Sequence, residues 1–191
     1  MQRRDEALAD LTQAQGIATL LGDETILASV ESSLAEVEFE AGNMRRALAL
    51  AEAALLTARS NNLAYREMGV LCQIACMMLV AGDLESARHF AQEALSATRG
   101  REPHLAMVAI QHLAAVAALR KNADRAARLL GYVDRGYQRE TYAVTDPTMR
   151  RSYEILVASV REQLSPEYLA TFVEQGSSIS DDIAANEAMQ A

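Results

Sequence analysis

Small and apolar side chains recur along this chain at helical spacing, and the pattern as a whole comes round about every forty residues. Ala41-Gly42-Asn43 and Ala81-Gly82-Asp83 are two similar phrases set 40 residues apart. Five residues after each glycine stand Ala47 and Ala87, and twelve after stand Ala54 and Ala94. Seven before each stand Ala35 and Ala75, preceded by Leu34 and Ile74. One period back the frame reaches Ala7 and Ala14; 39 residues forward it reaches Leu113, Ala114 and then Ala126. Four instances keep one frame, which chance does not readily produce.

The spacing has a physical meaning. A small residue near the middle of a first helix lets a second helix approach closely, and alanines on the second helix accept it. The glycine between them supplies the positive φ that ends the first helix. Asn43 or Asp83, directly after, is placed to cap the next helix. This order of small residue, turn glycine and paired alanines is that of a tetratricopeptide repeat. The usual period is about 34, so a period near 40 adds about one turn to each helix. The frame predicts helices over about 3–20, 24–41, 43–60, 63–81, 84–99, 103–120 and 123–136. Pro103 suits a first helical turn, and Lys121-Asn122 replaces the turn glycine in the last repeat. The chain opens on a second helix without its first, which predicts a segment of a longer protein, because repeats bury their faces on neighbours.

After Tyr137 the period is lost. Residues 138–146 read as a polar connection, and Asp146-Pro147 as a cap with a first-turn proline. Met149, Tyr153, Leu156, Val157, Val160 and Leu164 then share one helical face. Ser165-Pro166-Glu167 starts a further helix that Gly176 is expected to end, and Ser180-Asp181-Asp182 starts a short last one. The fold predicted is all-α: a tetratricopeptide-like α-solenoid of antiparallel helix pairs over 1–137, with capping helices over 138–191 that cover the open end of the stack.

Composition supports this reading. Half of the 191 residues are hydrophobic and 23% are charged, with no Trp, three prolines and nine glycines, so the core is built from small side chains on long helices. The net charge of −8 argues against a nucleic-acid groove, which needs surplus Lys and Arg. Apolar runs such as 74–81 are shorter than the roughly 20 residues of a membrane span. Met1-Gln-Arg-Arg-Asp lacks the apolar core of a signal peptide. Two cysteines are too few for a disulfide framework. A cytoplasmic location is expected.

Arg125-Ala-Ala-Arg-Leu-Leu-Gly131 resembles the phrase that opens the final segment of large bacterial ATPase-type transcriptional regulators, of the winged-helix (antibiotic-regulatory) and large LuxR types, and of related ATPase-coupled cyclases. Pro147, Arg150, Tyr153-Glu154, Leu164, Glu167, Gly176, Ile179-Ser180 and Ala184 continue the likeness, while Val173 stands where that family often has Trp. The resemblance is close over about 125–185 and loose over the repeats. It implies a tetratricopeptide superhelix downstream of a nucleotide-binding domain. The family's ATP- and DNA-binding motifs lie outside this chain, so neither function transfers to it.

Placed on the frame, Ser32, Glu36, Phe39 and Glu40, then Cys72, Cys76 and Leu79, then Gln111, Ala115 and Ala118 face a concave groove. The wall is acidic at one end and apolar further along. It suits a peptide or amphipathic helix, or is filled by the tail helices or a neighbouring domain of the parent chain. Cys72 and Cys76, four apart on one face, have His112 as a conceivable third ligand, but small apolar fillers are the commoner use of such cysteines. His89, His104 and His112 have no Ser or Cys at a catalytic spacing. Arg120, Lys121, Arg125 and Arg128 look like a phosphate site, but such a cluster is more often a solvated helix face. The function expected is therefore a non-catalytic scaffold or sensor with no catalytic residue, metal or cofactor. Its partner would be a protein, a peptide or the adjacent domains, with no direct nucleic-acid or membrane contact. The alternative is an autonomous peptide-binding adaptor.

Overall fold

Ten helices follow one another in the computed structural model, which describes residues 2–98, 100–139 and 146–191. They are α1 (Gln2–Leu21), α2 (Glu24–Glu40), α3 (Met44–Ser60), α4 (Ala64–Ala81), α5 (Leu84–Thr98), α6 (Pro103–Leu119), α7 (Ala123–Arg139), α8 (Pro147–Gln163), α9 (Pro166–Ser177) and α10 (Asp181–Ala188). Among the described residues there is no strand. The boundaries fall within a residue or two of the sequence reading except in α7, which runs through Arg139 rather than stopping near 136. Most of the expected 138–146 connection, residues 140–145, lies outside the described residues.

Short turns between α1 and α7 reverse the chain, so successive helices pack as neighbours. Gly42 (φ 79°) and Gly82 (φ 83°) take the left-handed conformation that ends α2 and α4. Lys121 (φ 65°) does the same without being glycine, and the Asn122 N–H donates to the Ala117 carbonyl at 2.9 Å, closing α6. Asp23 caps α2 by accepting from the Ile26 N–H at 3.0 Å, and Asp83 accepts from the Ser86 N–H at 3.0 Å. Asn43 differs from expectation. It occupies the cap position of α3, but its side chain makes no cap bond and donates instead to Glu38 at 2.7 Å. Glu38 is buried beside Arg46 at 3.1 Å, and this pairing takes the amide away from the helix end.

The recurring alanines lie at the helix contacts. Ala35, Ala75 and Ala114 on α2, α4 and α6 are fully buried, as are Ala47, Ala87 and Ala126 on α3, α5 and α7, and Ala54 and Ala94. On α1, which packs against α2, Ala7 and Ala14 are half-buried. The helices α2, α4 and α6 also touch each other in order, forming a common wall. This is a helical-repeat-like, all-α architecture.

The tail does more than cover the end. α9 packs on α7, and α10 lies against α6 and α7, but α8 runs along the wall itself, in contact with α2, α4, α6 and α7. Gly176 does not terminate α9; it sits within the helix, buried where α9 crosses α7. The cluster read as a solvated arginine face is also engaged. Arg120 donates to the Ala191 carbonyl at 3.2 Å, Arg125 to the Gln190 backbone and side chain, and Arg128 pairs with Glu187 at 3.3 Å. The carbonyl end of a helix carries partial negative charge and unsatisfied acceptors, so the guanidinium groups hold the end of α10 down.

One helix, α4, is 18 residues long with mean hydropathy 1.3, enough by length and composition to cross a membrane, which the short apolar runs alone did not suggest. In the fold it lies between α3, α5, α6 and α8, and ten of its residues from Met68 to Leu79 are buried.

Candidate functional site

The groove-facing positions are brought together on the α2–α4–α6 wall, and α8 occupies the space in front of them. Gln111 sits at the middle. Its amide donates to the Met149 carbonyl at 2.8 Å and to Ser152 Oγ at 2.6 Å, and its Oε1 accepts from the Tyr137 hydroxyl at 2.5 Å. The Cys76 thiol donates to the Thr148 carbonyl at 3.0 Å. Further along, Gln163 of α8 donates to the Ala118 carbonyl at 2.9 Å. At the other end Arg150 pairs with Glu40 at 2.7 Å. Leu79, Ala115 and Ala118 are buried, and Phe39 is half-buried beside Pro147 and Arg150. The wall thus meets the tail helix through polar bonds at Glu40, Cys76, Gln111 and Ala118.

Where α8 begins, a cavity of about 240 Å³ remains between α2, α4 and α6. Ser32, Glu36, Tyr65, Arg66, Gln73 and Asp146 line it, with Cys72 and Val108 at the apolar side. Asp146 is the N-cap of α8: one carboxylate oxygen accepts from the Thr148 N–H at 2.7 Å, the Thr148 hydroxyl at 2.6 Å and the Met149 N–H at 3.1 Å. Its side chain is also hydrogen-bonded to that of Glu36. Glu36 in turn accepts from Gln73 Nε2 at 2.5 Å, and Ser32 donates to Gln73 Oε1 at 2.9 Å.

The charges at this junction follow from burial. Burial first, and then the adjoining Asp146 carboxylate, push the Glu36 carboxyl up to about 8. Asp146 is also buried, but its bonds to Glu36, the Thr148 hydroxyl and two backbone N–H groups outweigh that and hold it below the usual range. The start of α8 favours that negative charge. Glu36 is therefore neutral and Asp146 charged at neutral pH. Burial, reinforced by Asp146, pushes the Cys72 thiol up to about 12 and drives Cys76 higher still, so neither is a reactive thiolate.

His112 is fully buried on α6, and among the described residues neither ring nitrogen has a hydrogen-bond partner. Burial pulls it down to about 4, with Asp146 opposing, so the ring is neutral. The repeat frame accounts for the missing partners. His112 stands 39 residues after Gln73, and the groups that correspond to Gln73's partners Ser32 and Glu36 are Cys72 and Cys76. Thiols are weak hydrogen-bonding groups, and Cys76 is already directed to Thr148. His89 is exposed with its ring edge-on to Phe90, and His104 is half-buried. Among the described residues no group of three or more His, Cys, Asp or Glu is arranged to hold a metal ion.

No family model, curated protein or solved structure matches this chain.

Sequence reasoning placed Glu36, Cys76 and Gln111 on the wall but missed Gln73, Tyr65 and Arg66, and saw Asp146 only as a cap. Gln73 was accessible from the frame, since it follows Cys72 and points back toward the preceding repeat's first helix.

The two buried groups have opposite effects on stability. Unfolded His112 binds a proton below its ordinary value of 6.5 and the native ring only below about 4, so stability rises with pH across that interval. Native Glu36 keeps its proton to about 8 while the unfolded chain loses it near 4.5, so stability falls with rising pH across that one. The two oppose each other up to about pH 6.5, and above it the effect of Glu36 outweighs the fading one of His112. Urea melts are expected to show an unfolding free energy about 1 kcal/mol lower at pH 8 than at pH 6.5, less than the full slope of about 1.4 kcal/mol per pH unit because both groups are partly titrated at the ends of the interval. Glu36→Gln should flatten that interval. Identical wild-type midpoints at the two pH values would contradict the protonated carboxyl.

Proposed function

We propose that this chain is a non-catalytic scaffold or sensor module of tetratricopeptide type, whose concave α2–α4–α6 wall is a helix-accepting surface. The observation that carries the reading is α8 itself. An amphipathic helix lies on the wall, held by Gln111, Cys76 and Glu40 at successive places along it. A surface that takes one helix by backbone-directed donors and an apolar seam suits others of the same kind. The 39–40-residue recurrence of fully buried alanines supports nested helix pairs of the tetratricopeptide class, with helices longer than the usual ones.

The segment from Arg125 to Ala184 supports a more specific placement, in the C-terminal region of a large bacterial ATPase-type transcriptional regulator or related signal-transduction ATPase. Gly131 and Gly176, both part of that resemblance, meet at one helix crossing, which gives them a shared structural reason. In such a protein the wall would pass contact with a partner or ligand to the adjacent domains, in the cytoplasm. The source gene tests this placement directly. A nucleotide-binding domain upstream in the same frame supports it; an upstream stop codon in frame turns the reading to an autonomous peptide-binding adaptor.

The wall has its own test. Phe39 is half-buried at the acidic end, beside α8. Phe39→Glu is expected to weaken binding of an identified partner by about ten-fold, from loss of one apolar contact of about 1.5 kcal/mol, while the far-ultraviolet circular dichroism stays that of the parent. Unchanged affinity by titration calorimetry would move the contact surface elsewhere.

A further inference from the structure

We propose that the first turn of α8 is a proton-operated latch, in which one proton shared between Glu36 of α2 and Asp146 holds that turn against the wall and its loss releases it. The two carboxyls line one cavity and adjoin across it. Two ionised carboxylates have only acceptor atoms to offer one another, so their hydrogen bond exists only when one of them carries a hydrogen. Asp146 already accepts from three donors at the start of α8, which places the negative charge on it and the proton on Glu36. Glu36 thus donates to the cap of a helix that arrives 110 residues later in the chain.

Among the described residues an ionised Glu36 keeps the Gln73 amide as a donor but has two further carboxylates near it, Asp146 and Glu40. On its own helix stands Glu40, a second carboxylate, whose partner is Arg150 at 2.7 Å. From α4 come the Gln73 amide, which donates one bond, and the buried neutral thiols Cys72 and Cys76. From α6 comes His112, neutral and buried. From α8 come Asp146 and Arg150, with Arg151 acting on Cys76. Arg66, on the cavity lining, lies over the Tyr65 ring. Loss of the proton therefore turns the contact between the cap and α2's carboxyl into a repulsion. The cavity of about 240 Å³ beside the pair gives water a route to it and the turn a place to move.

The release is local. Leu156 and Val160 are buried in the core, Tyr153 donates to Asp134 at 2.7 Å, and Gln163 holds Ala118, so the rest of α8 stays on the wall. What opens is the stretch where Cys76 meets the Thr148 carbonyl and Gln111 meets Met149. The latch concerns the chain alone and does not depend on which partner the wall accepts.

The test is amide hydrogen exchange by NMR, corrected for the intrinsic rate, at pH 6.5 and pH 9. The Thr148, Met149 and Arg150 amides are expected to lose about ten-fold or more in protection over that range, since each pH unit beyond the pair's titration favours the ionised form about ten-fold. The Val160 amide should hold its protection. Glu36→Gln, whose amide donates to Asp146 at any pH, should keep the first turn protected at pH 9. Asp146→Asn gives the same readout by a second route: its oxygen still caps α8 and its amide donates to ionised Glu36. A flat wild-type profile overturns the proposal. So does a loss of the same size in Glu36→Gln, or in Asp146→Asn should the first variant fail to fold.

Discussion

Replacing Gly176 with alanine is expected to lower the melting temperature by roughly 6–12 °C, the equivalent of about 3 kcal/mol in a chain of this size. A Cβ built at Gly176 would lie 1.7 Å from the Arg128 carbonyl oxygen and 2.6 Å from the carbonyl carbon. Across the same crossing, a Cβ on Gly131 would lie 2.0 Å from the Val173 oxygen and 3.0 Å from the Ser177 nitrogen. Each glycine faces the other helix's backbone. No flexible side chain is there to turn aside, so α7 and α9 must separate. Separation would also loosen the bonds by which Arg135 holds the Ser177 and Ile179 carbonyls, each 2.8 Å. Thermal melts followed by circular dichroism measure the effect, and a midpoint within about 2 °C of the parent would mean that the crossing is looser than described. Gly136→Ala is a useful contrast, because its Cβ would meet the movable thioether of Met107.

The second large effect is expected at Ala75. Its side chain is fully buried on α4, in the frame position shared by Ala35 and Ala114. Leucine there adds three heavy atoms where neighbouring helices touch through alanines, at a cost of about 1–3 kcal/mol in unfolding free energy. Ala81→Leu, at the exposed end of the same helix, serves as the control and is expected to stay within about 0.5 kcal/mol of the parent. Equal chemical stability of the two variants would remove the idea that the small side chain sets the helix spacing.

These two residues mark what the sequence made legible. Ala75 was found from sequence because its role is local and periodic: the same demand recurs each repeat, and the spacing reveals it. Gly176 was misread as a helix stop. A glycine near the end of an apolar stretch looks the same whether it terminates the helix or admits a neighbour, and only the position of α7 distinguishes the two. Asp146 shows the same divide. Its capping role follows from Asp-Pro alone, whereas its bond to Glu36 joins residues 110 apart and leaves no local trace. Asn43 failed as a cap for a similar reason, since its bond to the buried Glu38 turns the side chain away from the helix end. The wall residues were legible as a surface, but the helix that covers them lies beyond the last repeat, where the period no longer guides.

That covering helix changes how the molecule comes apart. A plain stack of repeats holds together through nearest neighbours and can unzip from either end. Here α8 spans α2 through α7 like a splint, joining Glu40 to Arg150 and Cys76 to Thr148 across long stretches of chain. The spanned helices lose their independence and give way together, while α1 is not among them. Folding acquires a long-range step in turn, because the wall cannot be locked until α8, well downstream of α2, has been made.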